Sequence, residues 1–314
     1  DSASGGGGAS TTQKALKTTE EYYFGNVSPS LGILPEKVTV VMWLKWEGPE
    51  DGTRRYLFYS HYFRLMYRNN TNTVRVQYHN GGFKNNDSVS FDLSSFAQII
   101  LAIDHVGVTK MYINGSEVIS LDFSSTNLST GTSPTVGLGD FGNSSELVVT
   151  EVALFRNYVF TPVEASEAYC SGKYLDLRNH SRSAKLSNYL LFDTTQGDTI
   201  SHDGSQPSAN IQDRIGSMDF SVIGLGPSET GTAIEEQDHV FPDVCPASAG
   251  SGGELRVHFR STSSLPNVAI NKHYWTLDSQ NDSITMNVKS KELYLSAEGG
   301  DCDYSVEAEL TSIP

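Results

Sequence analysis

The stretch Ala97–Phe123, AQIILAIDHVGVTKMYINGSEVISLDF, restricts the possible folds of this chain more than any other. Ile99, Leu101 and Ile103 alternate with Gln98, Ala102 and Asp104, the period of two that gives a strand one buried and one wetter face. A second strand at Val108–Ile113 runs into Asn114-Gly115. Both residues tolerate the positive φ of a two-residue type I′ turn, so Glu117–Phe123 is expected to fold back antiparallel. These three strands make a meander.

The same alternation recurs on both sides. Val38, Val40, Met42, Leu44 and Trp46 alternate with Thr39, Val41, Trp43 and Lys45, and the apolar character of both sets predicts a central strand. Arg55–Ser60, Phe63–Tyr67 and Thr73–Tyr78 read as further strands, with turns at Asn69-Asn70 and Gly81-Gly82. A short strand at Thr135–Leu138, a rim loop at Gly139–Ser145 and a long strand at Glu146–Phe155 follow. Thr161-Pro162-Val163-Glu164 predicts a helix start: Thr161 caps, Pro162 sits where no donor is needed, and Glu164 completes a capping box. The helix is expected over Pro162–Ser171, ended by Gly172.

The run ILAID, a turn and KMYINGSEVI resemble the centre of laminin-G-like, concanavalin A-like jelly-roll modules. Tyr22-Tyr23-Phe24-Gly25 before VTVVMWLKW resembles the opening strands of such a module, and Val149–Gly172 its last strand and closing helix. The resemblance implies an all-β fold, a concanavalin A-like antiparallel β-sandwich, over residues 21–178. It marks the fold and leaves the activity open, because this fold hosts lectins, glycan hydrolases, lyases and adhesion modules. Tyr189, Phe192-Asp193, Gly197-Asp198-Thr199-Ile200 and Asp203-Gly204 resemble the continuation of such modules in phage and marine viral structural proteins. No second YING hairpin follows, so residues 179–246 are expected to form a partial second unit packed on the sandwich. Residues 1–20 open with a Gly/Ser run and are expected to be a flexible arm, and residues 247–253 a linker. Four alternating runs within 254–314 predict a small terminal β domain that leans on a neighbour.

The net charge of −15, from 37 acidic and 22 basic residues, argues against nucleic acid or anionic membrane as partners. No apolar run approaches the roughly 18 residues of a membrane-spanning helix, which predicts a soluble chain without membrane insertion. The start at Asp1 suggests a trimmed chain, and the end at Pro314 a longer precursor. Cys170, Cys245 and Cys302 have no metal-type spacing; a Cys170–Cys245 bridge and buried free thiols are both open. Sequons stand at Asn26, Asn69, Asn86, Asn114, Asn127, Asn143, Asn179 and Asn281, either glycan acceptors of a secreted protein or turn chemistry; Asn114 is a poor acceptor inside its tight turn.

A hydrolase on this fold would carry Glu-x-Asp-x-Glu on one strand, and no such run is present; Glu146 and Glu151, five apart, are expected on opposite faces. His61 with Tyr62 and Arg64, or His79 with Tyr78 and Arg75, imitates a lyase base and its tyrosine, although sheet-surface roles fit as well. Tyr56, Phe58, Tyr59, Tyr62, Phe63, Tyr67 and Tyr78 read either as core or as a sugar-stacking platform. By analogy with the family, Asp104 and Asp140 are the candidate ligands for a Ca²⁺ ion, and no other cofactor is expected. The reading is a non-enzymatic structural or adhesion subunit, extracellular or on a virion surface, whose partners are other copies or subunits and glycans. The alternatives are a secreted eukaryotic glycoprotein of a filament or cell coat and, behind it, a polysaccharide lyase or hydrolase.

Overall fold

The alternating segments become strands in a computed structural model that describes residues 10–18, 23–26, 34–60, 62–79, 83–124, 136–139, 146–201, 208–223 and 234–245, and the backbone of four strands beyond them. In chain order these are Thr11–Thr18 (β1), Tyr23–Asn26 (β2), Lys37–Trp46 (β3), Arg54–Tyr59 (β4), Phe63–Arg68 (β5), Thr73–His79 (β6), Phe83–Ser90 (β7), Ala97–Asp104 (β8), Val108–Ile113 (β9) and Ser116–Asp122 (β10). Gly137–Leu138 (β11), Leu147–Arg156 (β12), the helix Pro162–Tyr169 (α1), Leu186–Leu190 (β13), Thr199–Ser201 (β14), Ser208–Ile211 (β15), Phe220–Ile223 (β16) and Ile234–Phe241 (β17) follow. They form two antiparallel sheets. The first runs β10-β9-β8-β3-β12-β1-β17, with β13 also paired to β12; the second runs β14-β15-β16-β2-β11-β4-β5-β6-β7.

The hairpin expected at Asn114-Gly115 is present, with φ of 50° and 75° at the two residues. β3 lies between β8 and β12, the central position that its two apolar faces require. Val38, Val40, Met42, Leu44 and Trp46 pack inward with Leu57, Phe58, Leu65 and Val76 of the second sheet to make the sandwich core. The face of β8 read as wetter is covered instead. Gln98 is buried, its Nε2 donating to the Ala168 carbonyl at 2.9 Å, and Ile100 and Ala102 pack under Phe160, Ala165 and Leu175. The covering layer starts at α1, whose capping box forms as the sequence predicts: Glu164 N donates to Thr161 Oγ1 and Thr161 N donates to Glu164 Oε2. The helix ends at Tyr169, two residues early, because Cys170 and Ser171 adopt left-handed φ of 45° and 56°.

Two expectations are corrected and one open alternative is settled. The flexible arm expected over 1–20 does not include Thr11–Thr18, which form β1, paired to β12 and over all eight residues to β17; residues 1–9 lie outside those described. The partial second unit at 179–246 is no appended body: β13 and β17 complete the first sheet, and β14, β15 and β16 complete the second. Leu190, Phe192, Ile211, Phe220 and Ile234 belong to the same core as β3. The thiol question resolves as a Cys170–Cys245 disulfide, which fastens the end of α1 to the segment after β17. Beside it Tyr174 N donates to the Asp243 carbonyl, Cys245 N to the Tyr174 carbonyl, and Lys173 pairs with Asp243 at 2.8 Å.

Residues 1–178 and 183–245 are one unit; residues 179–182 and 246–314 are a second. In the second unit Leu255–Arg260 (β18) pairs with Ser305–Leu310 (β21), and Met286–Lys289 (β19) with Glu292–Leu295 (β20). Cys302 lies outside the described residues.

Candidate functional site

The strand register puts a particular set of side chains on the outer face of the second sheet. Alternation sends Phe63, Leu65 and Tyr67 of β5 and Val74 and Val76 of β6 into the core. Arg64, Met66, Arg68, Arg75 and Gln77 are therefore left on the other face. One row across the sheet reads Ser221, Gly25, Gly137, Tyr59, Arg64, Gln77. The two glycines are buried, and the missing side chain at Gly137 makes room for a tyrosine ring. The Tyr59 ring lies across Gly137 so closely that a Cβ there would overlap the ring's far end. Tyr23 meets Tyr59 edge-on at 5.7 Å and Tyr56 meets it at 6.3 Å, both inside the range for aromatic pairs. Arg64 Nη1 donates to Tyr56 Oη at 3.0 Å, with its guanidinium 5.1 Å from that ring. Tyr56 and Tyr59 thus form a part-exposed platform of fixed ring orientation, braced by Tyr23, which is 7% exposed.

Beside the platform lie three more arginines. Arg54 stands directly opposite Arg68, and Arg75 is opposite Met66, one diagonal step from Arg68. All three are half-buried, and among the described residues none pairs with a carboxylate. Burial, and then the Arg75 and Arg68 charges, hold the Arg54 guanidinium below its ordinary value.

A second cluster sits on the first sheet under the closing layer. β12 pairs with β1 through Val148 and Val149 and with β13 from Val152 onward, and a bulge at Thr150 marks the change of partner. The bulge turns Glu151 into the closed layer with Ala153 and Phe155, so strict alternation from Glu146, the basis for placing the two acids on opposite faces, does not hold. Glu151 is 1% exposed; Tyr189 Oη donates to its Oε1 at 2.5 Å, and Oε2 is buried with no partner among the described residues. Burial raises its carboxyl to about 8, so it is protonated at neutral pH.

The other sequence candidates are placed as follows. Asp104 closes the β8–β9 turn: its carboxylate pairs with Lys37 at 3.1 Å and accepts from Val106 N, and the described residues contain no group of three metal-binding side chains. Asp140, Asn127, Asn143, Asn281 and His61 lie outside the described residues. Asn26 and Asn86 fall within β2 and β7. Asn69 lies in a 3₁₀ turn with its amide donating to the Gly48 carbonyl; Asn179 is exposed, and Asn114 Oδ1 accepts from Gln98 N inside the hairpin. Tyr78 packs toward the core on Phe123, whereas Arg75, Gln77 and His79 share the outer-face alternation, so the tyrosine paired with His79 in the sequence points elsewhere. Tyr62 contacts His105. Of the seven aromatics, Phe58, Phe63 and Tyr67 are core, while Tyr56 and Tyr59 reach the platform. Tyr23, Gly137 and the Arg54, Arg68, Arg75 set were missed; arginine at alternate positions of consecutive hairpin strands was the signal for the last.

The motif after residue 189 has structural work to do. Asp193 caps the turn Thr194–Gln196, Gly197 adopts a φ of 100°, and buried Asp198 accepts from Asp193 N and Gln212 N and pairs with Arg214 at 2.6 Å.

Residues 19–157 match a laminin-G-type family model described as the concanavalin A-like lectin/glucanases superfamily. Similar solved structures include the receptor-binding domain of botulinum neurotoxin mosaic serotype C/D, 13% identical over 52% of this chain and 46% of that one, TM-score 0.40. The SAP-like pentraxin of Limulus polyphemus is 15% identical over 51% and 83%, TM-score 0.39. A candidate carbohydrate-binding protein from Bacteroides ovatus is 13% identical over 72% and 60%, TM-score 0.49. This chain spans less than half the length of that neurotoxin structure. No curated protein matches it.

Proposed function

Residues 19–157 carry a laminin-G-like, concanavalin A-like module, and from that premise we propose that the protein binds glycans on the outer face of its second sheet. The observation that carries this reading is the pair of part-exposed rings of Tyr56 and Tyr59, with Tyr59 laid flat over buried Gly137 and braced edge-on by buried Tyr23. Pyranose rings present an apolar C–H face and a rim of hydroxyls. Tyrosine offers a matching apolar ring and a hydroxyl, and the glycine beneath Tyr59 lets its ring lie flat on the sheet. The role is adhesive and without turnover, in a subunit of an assembly outside the cell or on a virion. The Cys170–Cys245 disulfide supports an oxidising compartment, and the outer-face rows bring arginines and amides to the platform where a hydrolase needs paired carboxylates.

A glycan microarray probed with the full chain tests the reading. Binding is expected to a restricted set of saccharides, and Tyr59→Ala is expected to weaken it at least about tenfold, the loss typical of a central aromatic anchor. Retention of full binding by Tyr59→Ala would place the ligand elsewhere. Release of reducing ends from any bound glycan would overturn the non-enzymatic part alone.

A further inference from the structure

The arginines beside the platform go further than a generic sugar site. Arg54 and Arg68 occupy directly opposed positions on adjacent strands, an arrangement of like charges that destabilises a sheet pair. Arg75 adds a third charge one diagonal step away. Nε of Arg68 and Nε of Arg75 are buried with no hydrogen-bond partner among the described residues. Buried donors in native proteins are normally satisfied, so two unsatisfied guanidinium nitrogens in one cluster mark an acceptor that comes from outside. The chain carries 37 acidic residues, and several described ones pair with other cations: Asp51 with Arg55, Glu47 with Lys17 and Lys45, Asp104 with Lys37. A protein of net charge −15 that keeps three cations together without carboxylates holds a local positive site against its own field.

We propose that Arg54, Arg68 and Arg75 form an anion subsite that takes a carboxylate or sulfate group borne by the saccharide on the tyrosine platform. The inference rests on the glycan reading above and names the ligand class: an acidic saccharide. Guanidinium forks match planar or tetrahedral oxyanions with paired N–H donors, and a bound anion relieves the repulsion among the three charges.

The test uses the full chain titrated with polygalacturonate, dextran sulfate and neutral dextran at fixed ionic strength. One of the two polyanions is expected to bind at least about tenfold more tightly than dextran, with an affinity that falls as salt rises. Preference for polygalacturonate identifies a carboxylate subsite, and preference for dextran sulfate a sulfate subsite. In the variant Arg54→Gln with Arg68→Gln and Arg75→Gln, polyanion affinity is expected to drop to the dextran level, and the melting temperature to hold or rise as the repulsion disappears. The single variant Arg75→Gln, which keeps two cations, should lose about tenfold and guards against a folding artefact. Polyanion affinity unchanged in both variants, or no tighter than dextran in the parent, overturns the anion subsite. In that case a loss of glycan-array binding on Tyr59→Ala leaves the glycan reading standing, and no loss removes both.

Discussion

Phe192→Ala is expected to destabilise the whole sandwich by about 3–5 kcal/mol, the cost of emptying a fully buried aromatic site. The ring is 0% exposed, 5.0 Å from Phe24 of β2 and 6.4 Å from Phe220 of β16. It therefore joins the segment beyond residue 178 to the opening strands. Its backbone sits at a φ of 48°, a conformation unfavourable for a bulky side chain and retained here where packing over-determines it. Urea unfolding followed by tryptophan fluorescence and by far-ultraviolet circular dichroism checks this. The two probes should shift together to lower urea, because Trp46 and Phe192 share one core. A loss below about 1 kcal/mol, the scale of a partly exposed contact, would show that the sandwich closes without this segment.

Glu151→Gln is expected to flatten the dependence of stability on pH. The Glu151 carboxyl lies at about 8 in the folded protein, against an ordinary 4.5, because burial disfavours its charge. Below about 4.5 both folded and unfolded chains hold the proton. Between about 4.5 and about 8 only the folded chain holds it, so the unfolded chain binds fewer protons and stability falls as pH rises through that window. Glutamine is neutral throughout, and any constant cost of its amide cancels between two pH values. The difference in unfolding free energy between pH 5 and pH 8 is expected to shrink by about 3 kcal/mol relative to the parent. Urea titrations at pH 5, 6, 7 and 8 give the comparison, and parallel pH curves for the two proteins would mean that Glu151 is ionised in place. Tyr189, whose hydroxyl donates to Glu151, sits on β13, so the effect also tests the seating of β13 beside β12.

The parts of this fold that were legible in the sequence are those fixed by local chemistry. The Asn114-Gly115 turn, the Thr161–Glu164 capping box and the two-sided apolar β3 each follow from a few adjacent residues. Contacts between distant segments left a weaker trace. Thr11–Thr18 mixes polar and apolar residues because its neighbours are the charged β17 and one end of β12, and Lys14 pairs there with Glu236 and Asp238. The wetter face of β8 looked solvent-bound because nothing in Gln98 itself announces the Ala168 carbonyl 70 positions away. The same limit applies to the site. Tyr56 and Tyr59 were singled out with five other aromatics, but separating core from surface required the bulge between Tyr56 and Phe58, which changes the face sequence within β4. Tyr23 and Gly137 join the platform only through the pairing of β2, β11 and β4.

The most direct test of the glycan-binding claim is the affinity of Gly137→Ala for whichever saccharide the parent chain binds, measured by isothermal titration beside a thermal melt. Gly137 has no left-handed φ, and the added methyl would meet only the far end of the Tyr59 side chain. The ring should swing off the sheet with little change in melting temperature. Glycan binding on the tyrosine platform requires an affinity loss of at least about tenfold with the fold intact. Undiminished affinity in a folded Gly137→Ala variant would contradict it and move the ligand off the tyrosine platform.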